Sequence, residues 1–202
     1  MSGVPILVEG AALEVLIVGG GAVAVRKASA FAAAGASLRI VAREPSEAMQ
    51  ALATAPSVRL EARDYEARDV ADATLVIAAT DDRATNARIA ADARAAARLV
   101  NVVDAPEEGS FATMATHRSG ALVVGVSAGG VPGAAARVRD EVAERFGDRY
   151  ALALADLAAL RRSLLDRGQG AQWRALATAV IDDGFCAAVE SGTLEARMGA
   201  WR

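Results

Sequence analysis

The feature that most restricts the fold of this chain is a run of three glycines between an apolar segment and a helix-like one. The segment is VLIVGGGAVAVRKA, residues 15–28. An apolar run, then glycines, then helical spacing predicts a strand, a tight turn and a helix. The spacing of Gly19, Gly21 and Ala24 fits the fingerprint G-x-G-x-x-A, in which the glycines permit the turn and the close approach of a pyrophosphate, and the alanine permits helix packing.

A helix that begins at such a turn favours an anion even without a cationic side chain. Its first N–H groups are free, and its dipole is positive at that end. A glycine-rich turn can also do no more than connect a strand to a helix. The order strand, motif, helix, second strand favours dinucleotide binding, so we expect the cofactor to contact Gly19, Gly21, Ala22 and Val23.

Apolar runs rich in Val, Ile and Leu recur along the first half of the chain, separated by stretches with helical spacing. They cover residues 14–18, 37–41, 58–61, 74–79 and 99–103. The alanine-rich segments 23–34 and 83–97 suit helices that cover a parallel sheet on both faces. The pattern predicts an α/β fold of Rossmann type, a doubly wound parallel sheet in a dinucleotide-binding domain over residues 1–112.

The alternation of apolar runs with stretches of helical spacing ends after Pro106. Residues 110–116 and 121–127 are predicted as two strands, with a helix near 134–146, in a small α+β segment over 113–149. A helical C-terminal domain is predicted over 150–202. Its expected apolar stripe consists of Leu152, Leu154, Leu157, Leu160, Leu164 and Leu165.

Two further places in the predicted sheet are candidates for cofactor contacts. At the end of the second strand, Glu44 can bind the ribose hydroxyls of NAD and Arg43 can accommodate the 2′-phosphate of NADP, while either can be an ordinary surface charge. We favour NAD. After the fourth strand, Thr80 and Asp81 either face the cofactor or cap the following helix.

Composition and charge narrow the function classes. The 202 residues carry a net charge of −3, which argues against a nucleic-acid-binding surface. Every long apolar run is interrupted before it can span a bilayer, and the first residues show no leader pattern, so we expect a cytoplasmic protein with no membrane contact. The single cysteine, Cys186, has no partner for a disulfide, and no metal site is predicted.

Four stretches in this order and spacing resemble the precorrin-2 dehydrogenase/sirohydrochlorin ferrochelatase family, the N-terminal part of siroheme synthases. They are VLIVGGGAVAVRKA (15–28), VIAATDD (76–82), NVVDAPEEGSF (101–111) and VGVSAGGVPGAAARVRDEV (124–142). The resemblance covers about the first 150 residues. It implies NAD-dependent oxidation of precorrin-2 to sirohydrochlorin, in some members followed by Fe²⁺ insertion. It also implies a homodimer whose middle segment forms the interface and the active-site clefts.

The same resemblance implies roles for individual residues. Asp104 corresponds to the family's catalytic aspartate; a turn-forming aspartate is the structural alternative. Ser127, Gly129 and Gly130 correspond to a small-residue loop that leaves room for the macrocycle. Arg137 is our choice for binding substrate carboxylates, ahead of Arg118, Arg139 and Lys27.

Some positions depart from the family pattern, and other functions stay open. Ala128 replaces the usual serine, Met114 replaces the usual proline, and Val131 replaces the usual serine or threonine. His117 could bind Fe²⁺ together with Asp104, but two side chains are few ligands for iron, and we favour a polar turn residue. One alternative function is an NAD(H)-sensing module without chemistry. Another is a tetrapyrrole metal chelatase without dehydrogenase activity.

Overall fold

The computed structural model describes residues 3–199 and residue 201. The chain divides into two compact units between Thr113 and Met114. In the described part of the chain no helix is both long and apolar enough to cross a membrane.

The first unit is a five-stranded parallel sheet with the strand order β3-β2-β1-β4-β5. Its strands are β1 (Glu14–Val18), β2 (Ser37–Val41), β3 (Val58–Glu61), β4 (Leu75–Ala78) and β5 (Leu99–Val102). Its helices are α1 (Ala22–Ala33), α2 (Glu47–Leu52) and α3 (Arg83–Ala95). Short 3-10 turns occur at Gly10–Ala12, Ala67–Val70 and Pro106–Glu108. The strand order reverses between β1 and β4, and in such sheets ligands bind beyond the carboxyl ends of the strands at this point.

The first unit buries both faces of its sheet, which explains why the strands are continuous apolar runs. Along β1, Val15 and Ile17 pack on the α1 side with Ala24 and Ala28. Alternate residues of the same strand pack on the other side, with Ile89 and its neighbours in α3. Since Ala24 and Ala28 are fully buried and small, α1 can lie close to the sheet.

In its described residues, the second unit combines an antiparallel strand pair with five helices. The elements are β6 (Ala115–Ser119), β7 (Leu122–Val126), α4 (Pro132–Arg145), α5 (Asp148–Asp166), α6 (Gly170–Val180), α7 (Phe185–Ser191) and α8 (Leu194–Gly199). The turn between β6 and β7 contains Gly120 at φ 57°, a left-handed backbone that favours glycine. Tyr150, Leu157 and Leu164 of α5 are buried with residues of the last three helices.

The structure confirms the parallel sheet, the small α+β element and the helical C-terminal part, with two corrections. The strand predicted over 110–116 is wrong at both ends, because β6 begins at Ala115 and ends at Ser119. Ser110 and Phe111 instead make isolated hydrogen bonds to the backbone of Val100. The domain bounds stay predictions, and residues 1, 2, 200 and 202 at their outer ends lie outside the described residues.

The second correction concerns the leucine stripe of α5. Leu152 and Leu165 are 68% and 41% exposed, whereas Leu157, Leu160 and Leu164 are buried. Ala153 and Tyr150 occupy the buried positions about one turn and about two turns before Leu157. The buried face therefore follows 150, 153, 157, 160 and 164, the spacing of a single helix face, and the two exposed leucines lie off it.

Candidate functional site

The three glycines form the turn between β1 and α1, and each has a different environment. Gly19 has φ 129°, and a Cβ atom there would lie 2.2 Å from the backbone oxygen of Ala79, at the end of β4. A Cβ atom on Gly20 would lie 2.8 Å from the backbone oxygen of Glu44. A Cβ atom on Gly21 would meet nothing within 4 Å. The first two glycines thus permit close backbone packing, and Gly21 faces open space.

The open space beside Gly21 lies at the start of α1. Gly21 is the N-cap residue, and no side chain caps the helix there. The first N–H groups of a helix have no partner within it, so those of α1 are available to an anion. The structure therefore fits the predicted pyrophosphate-binding site.

A cavity of about 530 Å³ extends from the glycine turn across the carboxyl ends of the neighbouring strands. All eight residues predicted to contact the cofactor line it: Gly19, Gly21, Ala22, Val23, Arg43, Glu44, Thr80 and Asp81. Two backbone hydrogen bonds fix the turn beside β2, from Gly19 to Val41 and from Ser46 to Gly20. The cavity fits a dinucleotide in size and position, since cofactor pockets commonly have a few hundred Å³.

The β2 side of this cavity carries exposed charges. Arg43 and Asp64 form an ion pair, with 3.8 Å between Nη1 and Oδ1, and both side chains are more than 70% exposed. Glu44 is exposed beside them and also lines the cavity. Arg43 is therefore paired with the carboxylate of Asp64, which the sequence analysis had not singled out.

A second arginine at this side, Arg63, is held by a buried carboxylate. Its two terminal nitrogens donate to the two carboxylate oxygens of Asp69 at 2.7 and 2.8 Å, and Nε donates to Glu61. Burial, the largest effect, raises the pKa of Asp69, but hydrogen bonds from Arg63 and from the Glu66 N–H lower it overall. Arg63 thus lines the cavity with its donors already used, and it holds the loop after β3 in place. The sequence analysis missed it because its partner lies beyond a loop.

At the end of β4, the cap of α3 is not one of the two predicted residues. Asp82 accepts hydrogen bonds from the backbone N–H groups of Ala84 and Thr85 at 3.2 and 3.1 Å, so the capping alternative for Thr80 and Asp81 is wrong. The hydroxyl of Thr85 also donates to Asp82 at 2.5 Å. These three bonds hold the pKa of the Asp82 carboxyl below its usual value. The sequence signal was available, since Asp82 immediately precedes the predicted helix start at Arg83.

Asp104 follows β5, the neighbour of β4 in the sheet. Its Oδ1 atom accepts a hydrogen bond from Asn86 Nδ2 at 3.0 Å, and its Oδ2 atom lies 3.8 Å from Nε of Arg83. Its side chain is 36% exposed. Asp104 does not line the cavity itself; Asn86 connects it to Thr80, which does.

Asn86 is fully buried in α3 and was not singled out from the sequence. Its Oδ1 atom accepts from the backbone N–H and the hydroxyl of Thr80, and its Nδ2 atom donates to the Thr80 carbonyl and to Asp104. An asparagine on the inner face of an alanine-rich helix is the one signal that could have found it, because a buried amide needs partners.

The residues predicted to bind substrate lie in the second unit. Ser127, Gly129 and Gly130 are exposed in the loop between β7 and α4, where the glycines have φ values of 56° and 89°. Arg137 is exposed on α4 and pairs with Glu141 one turn later. The loop matches the predicted small-residue segment, and the substrate roles stay predictions.

The side chain of His117 contacts the protein backbone. It lies on β6, and its Nε2 atom is 2.7 Å from the backbone oxygen of Phe146. Among residues 3–199 and 201, no three His, Cys, Asp or Glu side chains are grouped so that they could hold a metal ion.

Comparison with known proteins supports cofactor binding by the first unit. A family model described as putative NAD(P)-binding matches residues 6–115. The chain belongs to this NAD(P)-binding family. The matched residues contain the whole parallel sheet and the glycine turn, so the family assignment and the cavity concern the same part of the molecule. NAD, the cofactor predicted from the sequence, agrees with this family.

Siroheme synthases are among the relatives of this chain. The chain is 47% identical over 117 residues to that of Pseudomonas putida (strain W619), covering 58% of the chain and 25% of the relative. It is 36% identical over 163 residues to that of Actinobacillus pleuropneumoniae serotype 3 (strain JL03), covering 81% of the chain and 34% of the relative. The chain therefore spans a quarter to a third of the length of these relatives.

A solved structure gives the same fold over the whole length. The protein named SirC, precorrin-2 dehydrogenase, matches with a TM-score of 0.76 at 20% identity, covering 98% of each chain. At this identity the match shows the fold. It includes the strand pair and the C-terminal helices that the family model does not reach.

Proposed function

We propose that this chain is an NAD-dependent precorrin-2 dehydrogenase that forms sirohydrochlorin during siroheme biosynthesis. The observation that carries the proposal is the carboxylate of Asp104. It lies at the end of β5, joined through Asn86 to the wall of a cavity that fits a dinucleotide. The names of the related siroheme synthases and of the dehydrogenase with the same fold support this substrate class.

The chemistry requires the loss of two electrons and two hydrogens from a reduced tetrapyrrole. Bound NAD⁺ supplies a hydride acceptor. The second hydrogen leaves a neighbouring carbon or nitrogen as a proton, and the carboxylate of Asp104 is the candidate acceptor. The backbone N–H groups at the glycine turn would hold the pyrophosphate of the dinucleotide and so keep the cofactor in the cavity at the strand ends.

The charges at the β2 side favour NAD over NADP. Arg43, the residue suited to a 2′-phosphate, is paired with Asp64, and Glu44 adds a second carboxylate at the same wall. Two carboxylates repel a phosphate dianion and accept hydrogen bonds from ribose hydroxyls. We therefore place the ribose of the adenosine beside Glu44 and Arg43.

The substrate and the assembly complete the proposal. Ser127, Gly129 and Gly130 form the loop that accommodates the macrocycle, and Arg137 binds one of its carboxylates. The protein works as a homodimer in the cytoplasm. A second step, Fe²⁺ insertion into sirohydrochlorin, requires removal of two pyrrole N–H protons, for which the Asp104 carboxylate is again the candidate base.

The deciding experiment is an anaerobic absorbance time course of precorrin-2 with the purified protein. It is run without a dinucleotide, with NAD⁺ and with NADP⁺. Formation of sirohydrochlorin with NAD⁺, and faster than with NADP⁺, is the expected result. NAD⁺ binding without conversion favours the sensing module instead. Metal insertion into supplied sirohydrochlorin, without oxidation of precorrin-2, favours the chelatase alternative.

The role of Asp104 has its own test. Replacing the carboxylate by an amide removes the proton acceptor while it keeps the size of the side chain, so Asp104→Asn should lower kcat for precorrin-2 oxidation about 100-fold or more. The Kd for NAD⁺ should stay within about threefold, because Asp104 does not line the cavity. Turnover close to that of the wild type would remove Asp104 from the mechanism.

A further inference from the structure

We propose that Asn86 is a positioning residue that fixes the carboxylate of Asp104 relative to the cofactor cavity. This inference rests on the proposed function, in which Asp104 accepts a proton during dehydrogenation. Asn86 would touch neither substrate nor cofactor and would act only through Asp104 and Thr80.

The hydrogen bonds of Asn86 determine which way its amide group faces. The Thr80 N–H can only donate, and it lies 3.1 Å from Oδ1. The Thr80 carbonyl can only accept, and it lies 3.1 Å from Nδ2. These two bonds assign the oxygen and the nitrogen of the amide, so the group that faces Asp104 is an N–H donor.

In the described part of the chain, Asn86 is the side chain within hydrogen-bond distance of the Asp104 carboxylate. Nδ2 and Oδ1 are 3.0 Å apart, whereas Arg83 lies 3.8 Å away and also pairs with Glu108. Asn86 is 0% exposed, which keeps the donor in one place, while Asp104 is partly exposed. One oxygen of the carboxylate is thus held by a neutral donor, and the other, with Arg83 Nε 3.8 Å away, is the candidate proton acceptor.

This arrangement links two strand ends. Thr80 follows β4 and lines the cavity, and Asp104 follows β5. Because Asn86 bonds the backbone of the first and the side chain of the second, a change at position 86 moves the carboxylate relative to the cavity wall. A displacement of about 1 Å in a reacting group can lower a rate by about 100-fold.

The test is the substitution Asn86→Asp, which keeps the size of the side chain and the acceptor for the Thr80 N–H and hydroxyl. It replaces the donor to Asp104 and to the Thr80 carbonyl by a carboxylate oxygen, which repels both acceptors. We expect kcat for precorrin-2 oxidation to fall about 10- to 100-fold, and both the Kd and the KM for NAD⁺ to stay within about threefold.

Two further variants separate positioning from loss of stability. The exchange Asn86→Asp with Asp104→Asn restores the donor and acceptor between positions 86 and 104 with their roles reversed, but not the hydrogen bond to the Thr80 carbonyl. Its unfolding midpoint should therefore rise from that of Asn86→Asp part of the way to the wild-type value, although activity stays lost. Ile89→Ala, in the same helix and fully buried, creates a cavity in the apolar core and removes no hydrogen bond of Asn86 or Asp104. It should lower stability and leave kcat within about twofold.

Three outcomes would overturn the inference: an unchanged kcat in Asn86→Asp, an equal loss in Ile89→Ala, or no recovery of stability in the double exchange. A wild-type protein that does not oxidise precorrin-2 would overturn the proposed function instead. The stability measurements on the single variants and the double exchange would then still show whether Asn86 and Asp104 are energetically coupled, which positioning requires.

Discussion

Gly19 and Gly21 lack side chains for different physical reasons, although they belong to one motif. Gly19 has a positive φ and packs against the backbone at Ala79, so a side chain there is excluded by the fold. Gly21 has φ −84° and ψ −178°, which any residue can adopt, and faces open space in the cavity. A side chain at Gly21 is excluded only if a ligand approaches.

The two positions therefore predict opposite results for the same substitution. Gly19→Ala should destabilise the protein by about 1–3 kcal/mol or more, from backbone strain and the clash with Ala79. Gly21→Ala should leave the unfolding free energy nearly unchanged and weaken NAD⁺ binding about tenfold or more, since its methyl group occupies the pyrophosphate approach. Chemical denaturation and calorimetric NAD⁺ titration of both variants measure this. Unchanged NAD⁺ affinity in Gly21→Ala would contradict the pyrophosphate site.

Among the elements, α3 has the clearest control of its start. Asp82 satisfies two N–H groups of the first turn and accepts a third hydrogen bond from the Thr85 hydroxyl. A negative charge at this end also interacts favourably with the helix dipole. Since α3 carries Asn86, the cap contributes to the geometry around Asp104.

The cap gives a pH dependence of stability with a definite sign. The folded pKa of Asp82 lies below its ordinary value of 3.8, so the contribution is fully present above that value and is lost as the pH falls through the folded pKa. Asp82→Ala should have a lower Tm than the wild type at pH 7, and the difference should shrink below about pH 4. Thermal unfolding of both proteins across this range tests it, and a difference independent of pH would refute the ionised cap.

At the scale of the whole molecule, the strand pair of the second unit is small for a sheet. Among residues 3–199 and 201, β6 and β7 pair only with each other, and a two-stranded sheet has unpaired backbone groups on both edges. Val131 and Val138, at the start of α4 and within it, are 58% and 50% exposed. These features support the proposed homodimer through the second unit.

The dimer is tested by the mass in solution. Light scattering at micromolar concentration should give about twice the chain mass of 20.6 kDa. A single-chain mass under these conditions would contradict the homodimer. It would leave the cofactor site of the first unit unaffected, because every residue that lines the cavity belongs to that unit.

The sequence by itself determined the parallel sheet and the glycine turn, and it picked out eight of the residues that line the cavity. These follow from local signals, because buried strands are apolar runs and a Gly-rich turn has few other uses between a strand and a helix. It also located Asp104, through a resemblance. Only the tertiary structure decided what joins Asp104 to the cavity, which arginine Asp69 holds, and which leucines of α5 are buried. The first and the last depend on residues that are distant in the chain and meet when strands and helices pack. The second depends on how the loop after β3 folds back over six residues, which no periodic pattern records.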